Sequence, residues 1–565
     1  MNNITQLFNQ YKIPLTNDTM ESFCKPKKFT LQAQQKALAN ILSSKYAPWY
    51  TNSDIRGILL YHQIGAGKTC TSIAIAEKFK DKKKILVILP ASLIDNFLSE
   101  LRSECTGNNY VTNKERQLLN TLSINDKIYH DIMTKSYNRI KKYYTIYSYH
   151  KLINLIKENK ITNFNNTLLI IDEIQNMISI NGSFYRLLAN IIQKSNNTLR
   201  IILLTATPMF NSPIELALTI NLLKTNNFID IQTFNNTFIK SINNDNYKIN
   251  NINLLKSKLQ NLISYYRGAP PVAYPSISFN IIKCNMTKFQ YKNYIMTLSS
   301  NTDNLSFTDL KNMNISNISE NFFIGPRLAS NIVFPNKLHG NEGFQSLKGT
   351  KLSINNIKQY SIKFYKIIKK INKSTGTIFI YSNFKEEGGI KSFIQFIEFN
   401  GWKNYTTYGA GIKRYAIWSG NETLQLKSKI KYIFNHEKNK QGDLIKIIIG
   451  SPSIKEGVSL LRVQQVHIME PYWNMSRVNQ IIGRAVRFCS HKDVPKKQQH
   501  VYVFMYLATY PNYNTIDQHI WSMAQLKDKL ISKFEHILKE IAIDCKLFYN
   551  RNSYPTDTIQ LKCNN

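Results

Sequence analysis

The sequence predicts an α/β protein made of two tandem parallel-sheet units, with helical insertions and a helical C-terminal appendage. Three observations predict it. At 565 residues the chain is longer than one compact core supports. Short apolar runs alternate with helical segments in its first half, as GILLYH, KILVILP, YTIYSYH, LLIIDE and RIILLTATP. The same grammar returns later in GTIFIYSNF, KRYAIWSG, LIKIIIGSP, VQQVHIME and HVYVFMYLA. Apolar runs of this length, bounded by turns and helices, read as buried parallel strands.

Taken in order, residues 1–26 are polar and irregular, and FTLQAQQKALANIL then opens an amphipathic helix. The first α/β unit is expected over 27–223. Residues 224–345 are Asn-rich with weak periodicity and read as insertions and a connection. The second unit is expected over 346–510. Beyond it, 511–565 forms a helical tail whose run DQHIWSMAQLKDKLISKFEHILKEIAI either braces the second unit or binds a partner.

Lys and Arg number 73 against 36 acidic residues, a formal charge of +37. A pI near 9.7 points to a polyanionic partner, nucleic acid first, and away from an acidic metabolite carrier. A single cluster such as Lys82, Lys83 and Lys84 is equally a solvated face in an Asn-, Lys- and Ile-rich sequence, but the acidic residues did not rise to match. Seven cysteines with no C-x-x-C pair argue against a disulfide framework and a zinc ribbon, and for a reducing compartment. Cys489 and His491 offer two metal ligands with no others nearby, too few for a site. The N-terminus MNNITQLFNQYK lacks an apolar signal core, and ILVILPASLI is about half a membrane span. A soluble, non-secreted protein is expected.

The chemistry concentrates in a few boxes. GILLYHQIGAGKTCTSIAIAEKF puts Gly65, Gly67, Lys68 and Thr69 after a strand and at a helix start, the context of a phosphate loop. Glycines let backbone N–H groups approach phosphate, Lys68 reaches the β and γ phosphates of ATP, and the Thr69 hydroxyl binds Mg2+. His62 stands where such loops usually begin with glycine. TLLIIDEIQNM ends an apolar run with Asp172 and Glu173, adjacent acids that are costly there unless a metal uses them. Asp172 is expected to hold Mg2+ through water and Glu173 to act as general base. Thr205, Ala206, Thr207 and Pro208 end the next strand, with the two hydroxyls placed to relay the state of the γ-phosphate. Read alone, that tetrad has an ordinary strand-end turn as its alternative.

Late in the chain, EPYWNMSRVNQIIGRAVRFCSH carries Gln480, Gly483, Arg484 and Arg487, the arginines three apart and expected on one helical face. A planar, permanent charge suits the γ-phosphate transition state, so Arg487 is assigned as the finger, Arg484 as a second phosphate contact and Gln480 as the group ordering water or the γ-phosphate. IIIGSPSIKEGVSLL supplies Ser453, Glu456, Gly457 and Ser459 as a coupling loop, Gly457 permitting close backbone approach to ligand.

GAGKT, DEIQ, TATP, SPSIKEGVSL and QIIGRAVR, in this order, resemble superfamily 2 helicases, which implies two RecA-like domains and an ATP-driven nucleic-acid motor. The resemblance makes Gln34 the reader of adenine, where a helix-surface glutamine is the plainer alternative. EPYWNMSRVNQIIGRAVR is similar to Swi/Snf-type translocases, implying movement along duplex DNA. The likeness is stronger to the branch of large cytoplasmic DNA viruses that includes poxvirus nucleoside triphosphatase I and the early transcription factor small subunit, through YYRGAPPVAYP, SNIVFP, KRYAIWSG and EIAIDC. That branch implies DNA more than RNA as ligand, viral RNA polymerase or another transcription factor subunit as partner, and the host cytoplasm or virion as location. It also places Pro90, Ser92, Ser148, Ser382 and Ser453 at strand ends against nucleic acid, although each alone reads equally as a capping residue. Gln175 departs from the His or Asp of related motors and puts the coupling of hydrolysis to movement in question. Two other readings stay open: a strand-separating RNA or DNA helicase, and a transcription-factor subunit whose ATPase activity is secondary.

Overall fold

The computed structural model describes residues 4–563 apart from 16–18, 26–27, 124–125, 180–181, 226–228, 244–245, 300–322, 456–457 and 556. The chain divides into two compact units, the first formed by Met1–Asp18, Lys25–Pro270 and Lys529–Asn565, the second by Thr19–Cys24 and Pro271–Asp528.

The first unit is built on strands β1 (Gly57–His62), β2 (Lys84–Leu89), β3 (Tyr144–Ser148), β4 (Thr167–Ile171) and β5 (Arg200–Thr205). A hairpin of β6 (Ile239–Asn243) and β7 (Asn246–Ile249) precedes β8 (Ile263–Tyr266). The sheet order is β3-β2-β4-β5-β1-β8, every pairing parallel. Side chains alternate between faces along each strand. Thus Ile58 and Leu60 enter one core with Ile73 and Ile75 of helix Lys68–Glu77, while Leu59 and Tyr61 enter the other with Leu152 and Leu188. Because β4, β5 and β1 are neighbours, the loops after all three emerge side by side at the carboxyl edge, where open α/β sheets bind ligands.

The second unit contains β9 (Ser276–Asn285), β10 (Thr377–Tyr381), β11 (Lys403–Asn404), β12 (Arg414–Trp418), β13 (Ile447–Gly450), β14 (Val463–Ile468) and β15 (His500–Thr509). Its order is β11-β12-β13-β10-β14-β15-β9, again all parallel. Helix Ile362–Ile371 covers one face and helix Met475–Ala485 the other.

Three expectations are corrected. The segment 224–345 is not only insertion and connection, since β8 closes one sheet and β9 forms the edge of the other. β8 is four residues long and β9 is half-exposed, so neither shows a strong apolar run. The tail does not brace the second unit alone. Helix Ile516–Glu540 starts there, but Ile531, Phe534, Ile537 and Leu538 fill the first unit's core. Glu540 pairs with Lys256 at 2.8 Å and Asp557 with Arg267 at 2.7 Å. The apolar spacing taken as a partner surface is therefore used in the protein's own packing.

The cysteines are the third correction. Cys24 pairs with Cys489, Cys70 with Cys105 and Cys545 with Cys563, leaving Cys284 as the free thiol. Their sequence separations of 465, 35 and 18 residues follow no local motif, so only the returning chain brings them together.

Candidate nucleotide site

The phosphate loop leaves β1 at His62, which is fully buried, with Nε2 3.1 Å from the Ser264 hydroxyl on β8. Ser264 in turn donates to Asp544 at 2.5 Å. Burial, followed by the nearby Lys68 charge, pushes His62 down to about 3, so it is neutral. The departure from glycine is thus explained: position 62 belongs to the strand and ties it to β8 and the C-terminal segment. Gln63 N–H donates to Tyr266 at 3.0 Å, and a Cβ on Gly268 would lie 3.3 Å from Ala66, so the RGA turn after β8 buttresses the loop.

Gly65 and Gly67 have φ of 82° and 72°, left-handed values that glycine adopts freely. Gly67 caps helix Lys68–Glu77, presenting a helix N-terminus. Gln35 donates to the Gly67 carbonyl at 3.4 Å and forms a capping box with Gln32 at the start of helix Ala33–Ser43. Gln34 is also buried. Its Nε2 donates to Gln32 at 2.7 Å, while its Oε1 accepts no hydrogen bond among the described residues. A buried acceptor so placed fits an adenine amine. The plain helix-surface alternative fails, since Gln34 has no exposure.

Lys68 Nζ lies 2.9 Å from Glu173 Oε1 and 3.7 Å from Asp172 Oδ1. Burial opposes its charge, but the two carboxylates outweigh burial and hold the ammonium above its ordinary range. Burial pushes Asp172 up to about 6 against the pull of Lys68, with Glu173 adding to the rise. Glu173 has φ 52°, a left-handed conformation that costs a bulky residue about 1–3 kcal/mol. Tyr149 holds that turn from below, its hydroxyl donating to the carbonyls of Asp172 and, at 2.9 Å, of Glu173. The carboxylates and the Thr69 hydroxyl are hard oxygen donors of the kind Mg2+ takes.

From Glu173 a hydrogen-bonded path continues. Gln175 Nε2 donates to Glu173 Oε2 at 2.5 Å, Thr205 Oγ1 donates to Gln175 Oε1 at 2.7 Å, and Thr207 N–H donates to Thr205 Oγ1 at 2.9 Å. Gln175, noted in the sequence only as a departure, is the bridge between the two boxes. An amide suits the place because it donates on one side and accepts on the other.

In the second unit, Asn474 caps helix Met475–Ala485, its Oδ1 accepting from Arg477 N–H at 2.9 Å. The helix ends at Ala485, so Arg487 lies beyond it, and the arginines do not share a helical face. They converge nonetheless, Arg484 donating to the Val458 carbonyl at 3.4 Å and Arg487 at 3.1 Å. Burial, then the neighbouring Arg484, pushes Arg487 down to about 9. Gln480 and Gly483 are half-buried on the same helix. Gly457 lies outside the described residues.

The serines assigned to nucleic acid divide. Ser92 and Ser453 are exposed, and Ser453 lies 3.1 Å from Ser451. Pro90 is buried at the entry of a 3-10 turn. Ser148 caps helix Tyr149–Lys157, accepting from Lys151 N–H at 3.3 Å. Ser382 corrects the expectation. It is fully buried and bonds Glu470 at 3.0 Å, as the Asn383 N–H also does. Asn331 reaches the same carboxylate at 3.1 Å and accepts from Lys363, which pairs with Asp517 at 2.6 Å. Nothing local in HIMEPYWN reveals this buried network.

A phosphate loop wired to paired acids and a strand-end threonine, with an arginine pair on a second parallel sheet, defines a helicase-type ATPase of two RecA-like domains. The chain belongs to the SNF2-related superfamily 2 helicases. The SNF2-related domain description matches residues 28–330, and the helicase conserved C-terminal domain matches 362–489. The chain's relatives include viral proteins. A protein of Acanthamoeba polyphaga mimivirus named as an ATP-dependent RNA helicase is 47% identical over 557 residues, covering 98% of this chain and 95% of that protein. The termination factor NPH-I homolog of African swine fever virus is 24% identical over 568 residues, 87% of this chain and 76% of its own. Among solved structures, S. cerevisiae Dbp5 bound to RNA and ADP BeF3 aligns with 89% of this chain and 93% of its own at 9% identity and a TM-score of 0.42.

Proposed function

We propose that this ATPase is a translocase that moves along nucleic acid, with DNA as its preferred track, and that it works in viral transcription in the host cytoplasm or the virion. The observation that carries the reading is the path Lys68–Glu173–Gln175–Thr205–Thr207, because it links the phosphate-binding cation to the strand end after β5. Lys68 binds the β and γ phosphates of ATP, which draws its ammonium from Glu173 and leaves that carboxylate to take a proton from water. Thr69 and Asp172 would hold Mg2+, which supplies charge neutralisation on the phosphates when bound. Gln175 keeps Glu173 oriented and passes its displacement to Thr205 and Thr207. Gln34 reads adenine, Arg487 and Arg484 stabilise charge developing on the γ-phosphate, and Gln480 orders it. Pro90, Ser92, Ser148 and Ser453 contact the strand, with Gly457 in the coupling loop.

The NPH-I homolog of African swine fever virus, named as a termination factor, supports a role in transcription. The mimivirus relative, named as an RNA helicase, supports a second reading in which RNA is the track. Both are tested by ATP hydrolysis with no nucleic acid, single-stranded DNA, duplex DNA or RNA, alongside triplex displacement and tailed-duplex unwinding. Stimulation greatest with duplex DNA and triplex displacement without unwinding is the expected outcome. Stimulation by RNA alone would favour the second reading, and indifference to every nucleic acid would remove the motor.

A further inference from the structure

The outermost strands of the second sheet, β15 and β9, run in parallel register from His500 beside Ser276 to Thr509 beside Asn285. β9 is the edge of the sheet. Along one face of β15 stand the rings of His500, Tyr502 and Phe504, with centroids 4.4 Å apart for the first pair and 6.4 Å for the second. The Tyr502 and Phe504 planes differ by only 7°. Tyr502 is 48% exposed, although Val501 and Val503, pointing to the opposite face, are fully buried. His500 is steadied by the Ser276 and Ser278 hydroxyls, each 2.7 Å from a ring nitrogen.

Helix Ile362–Ile371 lies over the upper part of this face and delivers a row of lysines to it. Lys370 Nζ is 4.1 Å from the centre of the Phe504 ring. Lys366 donates to the Lys283 carbonyl on β9 at 2.5 Å. Lys369 and Lys373 follow, both exposed. None of these four ammonium groups forms an ion pair among the described residues, whereas Lys363, buried at the start of the helix, is matched by Asp517. Burial, and then the positive neighbours Lys373 and Lys366, push Lys370 below its ordinary range. Helix Met475–Ala485, which carries Arg484, packs against the other face of the sheet. The platform is therefore separate from the arginine pair.

An exposed ring parallel to its neighbour and bordered by lysines that form no ion pair among the described residues matches a chain of flat bases joined by phosphates. Aromatic rings stack on every base, and lysines track the backbone whatever the sequence. We propose that this face is a second nucleic-acid site that holds a single strand, with a base on Tyr502 and the phosphates along Lys366, Lys369, Lys370 and Lys373. It goes beyond the motor reading, since it needs no ATP and lies on the opposite face of the sheet from the helix that carries Arg484.

The test uses the full chain with oligo(dT) and oligo(U) carrying 5-iodouracil, so that its two arms separate DNA from RNA. Photocrosslinks are expected at Tyr502. In anisotropy titrations, Tyr502→Ala weakens binding about tenfold, Tyr502→Phe retains it, and the Lys369→Glu/Lys373→Glu pair lowers the slope of log K against log salt by about one or more. Thermal melts establish that the variants fold, and hydrolysis without nucleic acid stays at the wild-type rate. Unchanged oligonucleotide binding and salt slope in both Tyr502→Ala and the lysine pair overturn the proposal, even where nucleic acid still stimulates ATP hydrolysis. Tyr502-dependent binding in a chain whose ATPase ignores nucleic acid would sink the motor reading and leave this site standing. Poly-L-glutamate binding that requires Tyr502, with oligonucleotide binding that does not, overturns it in favour of an acidic protein.

Discussion

Lys68 in the first unit and Arg487 in the second are both half-buried cations assigned to phosphate in the proposed mechanism, yet their surroundings differ. Lys68 is matched by Glu173 at 2.9 Å and Asp172 at 3.7 Å, and its charge is reinforced. Arg487 forms no ion pair among the described residues, rests on a backbone carbonyl and is pushed down to about 9 by burial and by Arg484. A buried charge without an opposite partner is costly. An anion reaching Lys68 must compete with a carboxylate, and in the proposed mechanism that competition sets Glu173 free. An anion reaching Arg487 displaces only a neutral dipole. On the proposed mechanism, the first unit would act as a switch and the second as a receptor for charge.

Variants break this comparison most sharply at the switch. Glu173→Gln keeps the side chain's shape but removes the base, and should lower the hydrolysis rate by roughly 100- to 10,000-fold. Lys68→Ala should match or exceed that loss in the same steady-state assay and strip the charge that offsets Asp172. On the receptor side, Arg487→Ala should cost about 1,000-fold in kcat with little change in KM for ATP. Arg487→Lys should not restore it, because a point charge lacks the planar fork. A rise in KM alone would show a ground-state role instead.

Gln175→Leu sharpens the comparison by cutting the path downstream of Glu173. Hydrolysis without nucleic acid should change by about tenfold or less, since a hydrogen bond contributes about 0.5–1.5 kcal/mol net, while stimulation by nucleic acid falls towards none because the path is cut. Loss of basal hydrolysis with stimulation intact would place Gln175 in the chemical step.

A smaller effect concerns Asp544, the end of the His62–Ser264–Asp544 chain. Burial, against the hydrogen bonds from Ser264 and the Tyr265 N–H, raises its carboxyl from 3.8 to about 7. A raised folded value means that the contribution of this group to stability is fully present below the unfolded value and lost as pH rises through about 7. Asp544 therefore contributes a fall in Tm between pH 5 and pH 8, opposite in sign to the buried neutral His62, and the Tm difference between wild type and Asp544→Asn should shrink over that range. An identical pH dependence in both proteins would contradict the assignment. Smallest of all, Ser148→Ala should cost about 1 kcal/mol as a lost N-cap, read in denaturant melts. A lowered salt slope for nucleic-acid binding in that variant would show strand contact in addition to capping.

Much of this was legible in the chain. The strands that carry chemistry are continuous apolar runs ending in small or polar residues, and β1, β4 and β5 stand where GILLYH, LLIIDE and RIILLTATP place them. β8 and β9 were hidden because one is too short and the other too exposed to leave a signal. Ser382 was misread because a strand-end serine looks the same whether it meets solvent or a buried Glu470. Gln35 carried a weak signal, the Gln32-x-x-Gln35 spacing of a capping box. Tyr149 and Ser264 carried none.

The sequence by itself determined the α/β class, the two sheets and the boxes that bind phosphate, because these depend on local spacing: glycines that admit backbone, a lysine at a helix start, acids at a strand end. Tertiary structure alone decided that Gln175 joins Glu173 to Thr205, that His62 is a buried strand residue tied to Asp544, and that the C-terminal segment packs into the first unit. Each of these rests on contacts between residues 30 or more positions apart, and no local periodicity records which distant side chains a folded chain brings within hydrogen-bonding reach.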